Sequence, residues 1–308
     1  MTLLHRPQIQ KLASLTGHRD CVYALAGHAN EDALFSAGAD GFVVSWSLNA
    51  PEQDGQLVAR VENSVYALHY VPERQLLLIG HNYQGVQAID LHEKQLWRAT
   101  ALPPVAIFDF AYSAPRNRLY VALADGTLAV LRANDFSLEK LLRVAHKSLR
   151  SLALHEERGE LAIGSSDATV RILDADTLAV RHTLTEATNS VFTVAYSPDG
   201  ERLFAAGRDA HLRAYEVAQG YTEGLTVVAH LFAINHLTFS PDGQMFATCS
   251  MDKSIKLWET STGRLLRVAD RARSAGHGTS VNRLFWSGRQ NRLVSCSDDR
   301  SLAVWQVS

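Results

Sequence analysis

The chain has 308 residues, of which 46% are hydrophobic and 20% charged, with 30 Lys and Arg against 32 Asp and Glu. A net charge of −2 argues against a general nucleic-acid binder, and 19 Gly with 8 Pro are too few for a collagenous or disordered chain. No apolar run approaches the ~18 residues a membrane helix needs, and the polar-interrupted start MTLLHRPQIQKLASL does not fit a secretory leader.

Residues 8–15 (QIQKLASL) read as a strand ahead of the first repeat. Seven copies of one skeleton then follow: an alternating apolar run, a turn, a second apolar run, a turn ending in Asp, and a third run closing six residues later. The clearest pair aligns without a gap, NSVFTVAYSPDGERLFAAGRDAHLRAYEV at 189–217 and FAINHLTFSPDGQMFATCSMDKSIKLWET at 232–260. In sequence order the closing residues are Trp46, Ile89, Leu131, Leu173, Tyr215, Trp258 and Trp305, spaced by 43, 42, 42, 42, 43 and 47. Six places earlier stand Asp40, Tyr83, Asp125, Asp167, Asp209, Asp252 and Asp299.

Within a copy the alternation has the period of two that a half-buried strand requires, as in Val22–Leu25, Val65–Leu68, Val191–Tyr196 and Ile234–Phe239. The punctuation is turn chemistry: SPDG at 197–200 and 240–243, ADG at 39–41 and 124–126. Short strands at this spacing, with no helical periodicity, predict an all-β fold. A single four-stranded sheet cannot bury both its faces, whereas several stacked around an axis can.

On these features the sequence resembles a seven-bladed WD-repeat β-propeller, and the resemblance covers its whole length. The family's hallmark is a hydrogen-bonded tetrad of His, Ser or Thr, Asp and Trp. The matching positions are complete in three copies: His18, Ser36, Asp40 and Trp46; His230, Thr248, Asp252 and Trp258; His277, Ser295, Asp299 and Trp305. His146 reads as the His position of copy four. The resemblance implies a buried network in which Asp orients His, His meets the hydroxyl, and the hydroxyl accepts from the indole N–H. The sequence also departs from the family pattern. It has no Trp-Asp dipeptide, copies two to five lack the Trp, and copy two lacks both His and Asp.

Only three residues follow Trp305, so copy seven has no fourth strand of its own. The expectation is a single domain over 1–308, four-stranded antiparallel blades, and a ring closed by the N-terminal strand completing the last blade.

Chemistry is sparse. Outside the tetrads, His5, His28, His69, His81, His92, His155, His182, His211 and His236 show no HExxH or repeated i, i+2 spacing, so no metal, cofactor or catalytic residue is expected. The repeat aspartates read as turn and tetrad structure, and Ile89, Leu131, Leu173 and Tyr215 as core residues. Cys249 and Cys296 read as buried packing; Cys21 reads as an incidentally exposed thiol, with a reactive one as the alternative. Three cysteines without a CxxC pair suit a reducing, cytoplasmic compartment.

In the family resembled, ligands most often bind the face carrying the loop before the first strand and the loop between the second and third. Three positions per copy point there. The third residue after the tetrad His is small: Cys21, Ser64, Ala106, Ser148, Ser190, Ala233, Ser280. The fifth is Tyr23, Tyr66, Phe108, Arg150, Phe192, Asn235 and Asn282, placed either opposite the buried residue before it or at a local bulge. The residue before the turn Asp is Ala39, Asn82, Ala124, Ser166, Arg208, Met251 and Asp298. Aromatics beside arginines suit an extended peptide with apolar anchors and an acidic group near Arg150 and Arg208. The alternative is that the rings plug the channel mouth. The long final spacing comes from 264–277, whose Arg271 and Arg273 read as a solvated loop or an acidic-partner contact.

The sequence thus predicts a non-enzymatic scaffold that binds protein or peptide partners on the channel face, monomeric and without membrane or general nucleic-acid affinity. Two alternatives stand beside it: a structural subunit of a larger assembly, and an enzyme at the channel using residues such as Asn82 or Asp298.

Overall fold

The computed structural model describes residues 7–27 and 32–308; His5 and His28 lie outside them. The repeats form seven four-stranded antiparallel sheets, the blades of a β-propeller. Blade 1 consists of Val22–Gly27, Ala33–Gly38, Phe42–Ser47 and Gln56–Arg60, and blade 2 of Val65–Val71, Leu76–His81, Gly85–Asp90 and Gln95–Ala101. Blade 3 consists of Ile107–Ser113, Arg118–Leu123, Thr127–Arg132 and Leu138–Arg143, and blade 4 of Leu149–His155, Glu160–Ser165, Val170–Asp174 and Val180–Leu184. Blade 5 consists of Val191–Tyr196, Arg202–Gly207, His211–Glu216 and Thr222–Val228, and blade 6 of Ile234–Phe239, Met245–Ser250, Ile255–Glu259 and Leu265–Ala269. Blade 7 takes Val281–Ser287, Arg292–Ser297 and Ser301–Val307 from the C-terminus and Ile9–Thr16 from the N-terminus.

The protein divides into two compact units. One is Val61–Ile234, with blades 2 to 5; the other joins Met1–Arg60 to Asn235–Ser308, with blades 1, 6 and 7. In the first unit Ile107, Val121, Leu131 and Phe136 pack with Leu78 between blades 2 and 3. In the second, Trp305, Leu293, Ile255 and Leu257 form a core with Trp286. Second strands are buried throughout, as in Leu76–His81 and Glu160–Ser165, whereas the fourth strand Gln95–Ala101 is almost wholly exposed. A strand covered on both faces reads as a continuous apolar run, so the period-two signal weakens toward the middle of each blade.

Closure is direct. Ile9–Thr16 pairs antiparallel with the last strand from Ile9 opposite Val307 to Thr16 opposite Ser301. Gln8 N–H donates to the Ser308 carbonyl at 2.6 Å and Ser308 N–H to the Gln8 carbonyl at 3.1 Å. The long 264–277 segment holds one short helix, Arg271–Ser274, which the sequence pattern did not predict. Asp270 caps it by accepting from the Arg273 amide at 2.8 Å.

In every blade with a turn Asp, its Oδ1 accepts from the backbone N–H two residues on, at 2.9 to 3.2 Å, as in Asp125 with Thr127 and Asp299 with Ser301. In blade 1 His18 Nδ1 lies 3.0 Å from Asp40, His18 Nε2 lies 2.8 Å from Ser36 Oγ, and Trp46 Nε1 donates to the same oxygen at 2.7 Å. Blade 7 repeats this with His277 2.9 Å from Asp299 and 2.8 Å from Ser295, and Trp305 donating to Ser295 at 2.9 Å. In blade 6 Trp258 donates to Thr248 at 2.8 Å, and His230 is buried.

The reading of His146 as a tetrad residue is corrected. It stands 21 residues before Asp167, whereas the tetrad histidines stand 22 before theirs, so Ala145 takes the buried slot and His146 is exposed. With no His beside it, Asp167 is held by Arg171 at 2.9 Å, and Asp209 of blade 5 by Arg213 at 2.9 Å. Both arginines stand two places before the closing residue. In blades 4 and 5 an arginine thus supplies the cation beside the turn carboxylate.

Candidate functional site

The innermost strands place the site. Val22 faces Gly38 while Ala24 faces Ala37, which leaves Tyr23 as an extra, unpaired residue. The same slip isolates Phe108, Arg150, Phe192 and Asn282 in their blades, and both Tyr66 and Ala67 in blade 2. A β-bulge turns its extra side chain out of the sheet's alternation. The bulge, not simple alternation, is therefore what aims these side chains.

Within Val61–Ile234 this produces one connected cluster. The rings of Tyr66 and Phe108 lie 5.6 Å apart in a tilted arrangement. The Arg150 guanidinium carbon lies over both rings, 3.9 Å from the Phe108 centroid and 4.9 Å from that of Phe192. All four side chains are half-buried. Burial pushes the Arg150 guanidinium below its ordinary value, offset in part by Tyr66. Arg208 is exposed; its backbone N–H donates to the Ser190 carbonyl at 2.8 Å, which fixes it beside the start of the strand carrying Phe192.

The remaining candidates sit in a different setting. Asn235 donates to Ser280 Oγ at 3.0 Å and to the Val281 carbonyl at 2.8 Å, tying blade 6 to blade 7. Asn282 donates to the Val22 carbonyl at 2.9 Å and to Asp298 at 2.7 Å, tying blade 7 to blade 1. Their amides are engaged in holding neighbouring blades together. Tyr23 is half-buried and Met251 is 52% exposed.

The small-residue series also works between blades. Ser148 donates to the Ala124 carbonyl at 2.7 Å and Ser190 to the Ser166 carbonyl at 3.3 Å, while the Cys21 thiol approaches the Asp298 carbonyl at 3.7 Å. Asn82, considered above as a channel group, is 2% exposed and accepts from the Ile107 amide at 2.9 Å, so it belongs to the seam between blades 2 and 3.

One set of residues escaped the sequence reading. Asp109 accepts from the Leu152 amide at 2.9 Å, Ser151 from the Val194 amide at 3.2 Å, and His236 from the Leu284 amide at 3.3 Å. Each satisfies a backbone N–H on the edge strand that begins the next blade. Burial holds His236 far below the ordinary histidine value, with Arg283 acting in the same direction, so it is neutral and suited to accept. The available signal was a polar residue at the third place of an otherwise apolar strand: Asp109, Ser151, Thr193, His236.

Among the described residues, no group of three or more His, Cys, Asp or Glu side chains is arranged to hold a metal ion, and no helix is long and apolar enough to cross a membrane. Arg271 is exposed, and Arg273 pairs with Asp270.

Comparison with known proteins places this geometry. The family model described as WD domain, G-beta repeat matches residues 9–47, 179–216, 222–259 and 271–306, the repeats ending in blades 1, 5, 6 and 7. Echinoderm microtubule-associated protein-like 2 of Homo sapiens is 24% identical over 274 residues, 85% of this chain and 40% of that protein, so the match spans under half of that relative's length. Target of rapamycin complex subunit LST8 of Mus musculus is 23% identical over 244 residues, 76% of this chain and 74% of that one. Among solved structures, the WD40 beta propeller domain of Doa1 superposes with a TM-score of 0.81 at 17% identity, covering 97% of each chain, a likeness of fold.

Proposed function

The protein belongs to the WD-repeat family, and from that premise we propose that residues 1–308 act as one cytoplasmic, non-enzymatic propeller domain that holds a protein segment on the face around the channel mouth. The observation that carries this reading is the arc of Tyr66, Phe108, Arg150 and Phe192, aimed from four consecutive blades by four equivalent bulges. Rigid aromatic rings beside an arginine are the composition of interface hot spots. The segment supplies apolar side chains to the rings and an acidic group toward Arg150 and Arg208. In the other unit the same series of positions, Tyr23, Asn235, Met251, Asn282 and Asp298, supplies the further proposed partner residues.

Binding of a captured partner, remeasured with purified components, tests the reading. Loss of one aromatic hot spot costs about 2 kcal/mol, so Phe108→Ala with Phe192→Ala should weaken binding at least about thirtyfold at an unchanged melting temperature. A partner held equally by the double variant overturns it. One relative is named as a complex subunit and matches over most of both lengths, which favours a second reading: a permanent subunit docked through other surfaces. That reading expects one stoichiometric complex, indifferent to the double variant.

A further inference from the structure

Resting on the face proposed above, we infer that Arg150 reads a planar carboxylate of the bound segment, taken edge-on beside the rings of Phe108 and Phe192. The guanidinium carbon lies over two rings, 3.9 Å from the Phe108 centroid and 4.9 Å from that of Phe192, one ring from each neighbouring blade. Its five N–H donors lie in its own plane, and neither ring offers an acceptor there. No hydrogen bond or ion pair reaches that guanidinium among the described residues.

Arg150 is unlike the similarly covered arginines of the same unit. Arg118 holds Glu139 at 2.7 Å, Arg171 holds Asp167 at 2.9 Å and Arg213 holds Asp209 at 2.9 Å; Arg116 holds Glu156. Each of these four has an anion to offset its desolvation, and among the described residues Arg150 has none. At Arg150 the fold supplies the stacking and leaves the fork open.

The geometry also selects among anions. The negative faces of the two rings confine an approaching anion to the plane of the guanidinium. A carboxylate is flat and meets the fork with two parallel hydrogen bonds in that plane. A tetrahedral phosphate would push oxygens out of the plane and against the ring faces. Arg208, exposed nearby, draws acidic segments in without specifying the group.

The shared chemistry has two sources, the side chain of an Asp or Glu and the free carboxyl end of a polypeptide, and one experiment separates them. Random dodecapeptides, each with a free and an amidated C-terminus, are bound to the wild type, Arg150→Met, Arg150→Lys and Phe108→Ala. Peptides that need Phe108 should share one carboxylate at a fixed place. Replacing it with its amide should weaken wild-type binding about tenfold or more, and should change nothing for Arg150→Met. Arg150→Lys should keep part of the preference, since a point charge replaces the fork. Sensitivity to side-chain Glu→Gln assigns the internal source; sensitivity to C-terminal amidation assigns the terminal one. The ligand swap on wild-type protein keeps the test intact should Arg150→Met fail to fold. Phe108-dependent peptides indifferent to the amide swap, or preferring a phosphorylated residue, overturn the carboxylate and leave the face standing. No Phe108-dependent binder at all overturns both.

Discussion

Six turn aspartates perform one common task, accepting from the amide two residues on, and only some join a tetrad as well. Asp299 does both. Burial alone would raise its carboxyl, but hydrogen bonds from His277 and Ser301 hold it well below the ordinary 3.8. The unfolded polypeptide therefore takes up this proton more readily than the folded one. Its contribution to stability is complete above about pH 4 and drains away as the pH falls toward the folded value. Asp299→Asn should thus melt lower at neutral pH and lose less on further acidification; parallel acid slopes in both proteins overturn this. The thiols give a second check. Burial pushes Cys296 up to about 12, Cys249 well above its ordinary value, and Cys21 upward more modestly. Iodoacetamide at mildly alkaline pH should modify Cys21 slowly and the others only after unfolding, as read by intact mass; three fast additions to the native protein would refute it. The aspartates were legible because a hydrogen bond to i+2 demands one short carboxylate at one place. His146 misled because a slip of one residue leaves composition unchanged while moving a side chain from core to solvent.

Blades 4 and 5 are joined by an element built around one buried carboxylate. Glu160 accepts from Arg158 at 2.8 Å, Arg181 at 3.0 Å and the Tyr221 hydroxyl at 2.6 Å, and Tyr221 meets Tyr196 at 2.9 Å. Neutralising such a node leaves two arginines facing an uncharged amide; both are more than a third exposed and stay solvated, so the cost is about 1 kcal/mol. Glu160→Gln should lower the urea midpoint accordingly; an unchanged midpoint would mean the node is dispensable. The seam between blades 2 and 3 is fastened likewise: Arg74 stacks 4.8 Å from Trp97 and 5.2 Å from Phe136 and donates to the Asn134 carbonyl at 3.1 Å. Arg118 and Tyr120 then reach the Ala175 carbonyl of blade 4 at 2.8 and 2.7 Å. These fasteners occupy the blades that lack a full tetrad. They were partly legible, since Arg74, Arg116 and Arg158 recur every 42 residues. The bulges were less so: alternation tells which residues share a face, not where an extra one enters.

For the molecule, the steady period and the missing fourth strand after Trp305 together foretold the closure, because an unpaired sheet edge must find a partner. The family model matches the three repeats with tetrad residues and blade 5, and passes over 48–178, where hydrophobic closing residues replace the indole. There the period survives on packing, on the turn aspartates of blades 3 and 4 and on the fasteners between blades. Deleting residues 9–16 should lower the melting temperature sharply by stripping the last strand of its partner; an unchanged melt would show the closure to be ornamental. The side-by-side pairing of Gln8 and Ser308 also makes the starting point of the polypeptide interchangeable. A circular permutant that links Ser308 to Gln8 by a short turn, and is cut in the exposed stretch His92–Lys94, would begin on one blade's outer strand and finish on that blade's third. The native wiring is thereby reproduced with its origin moved around the wheel.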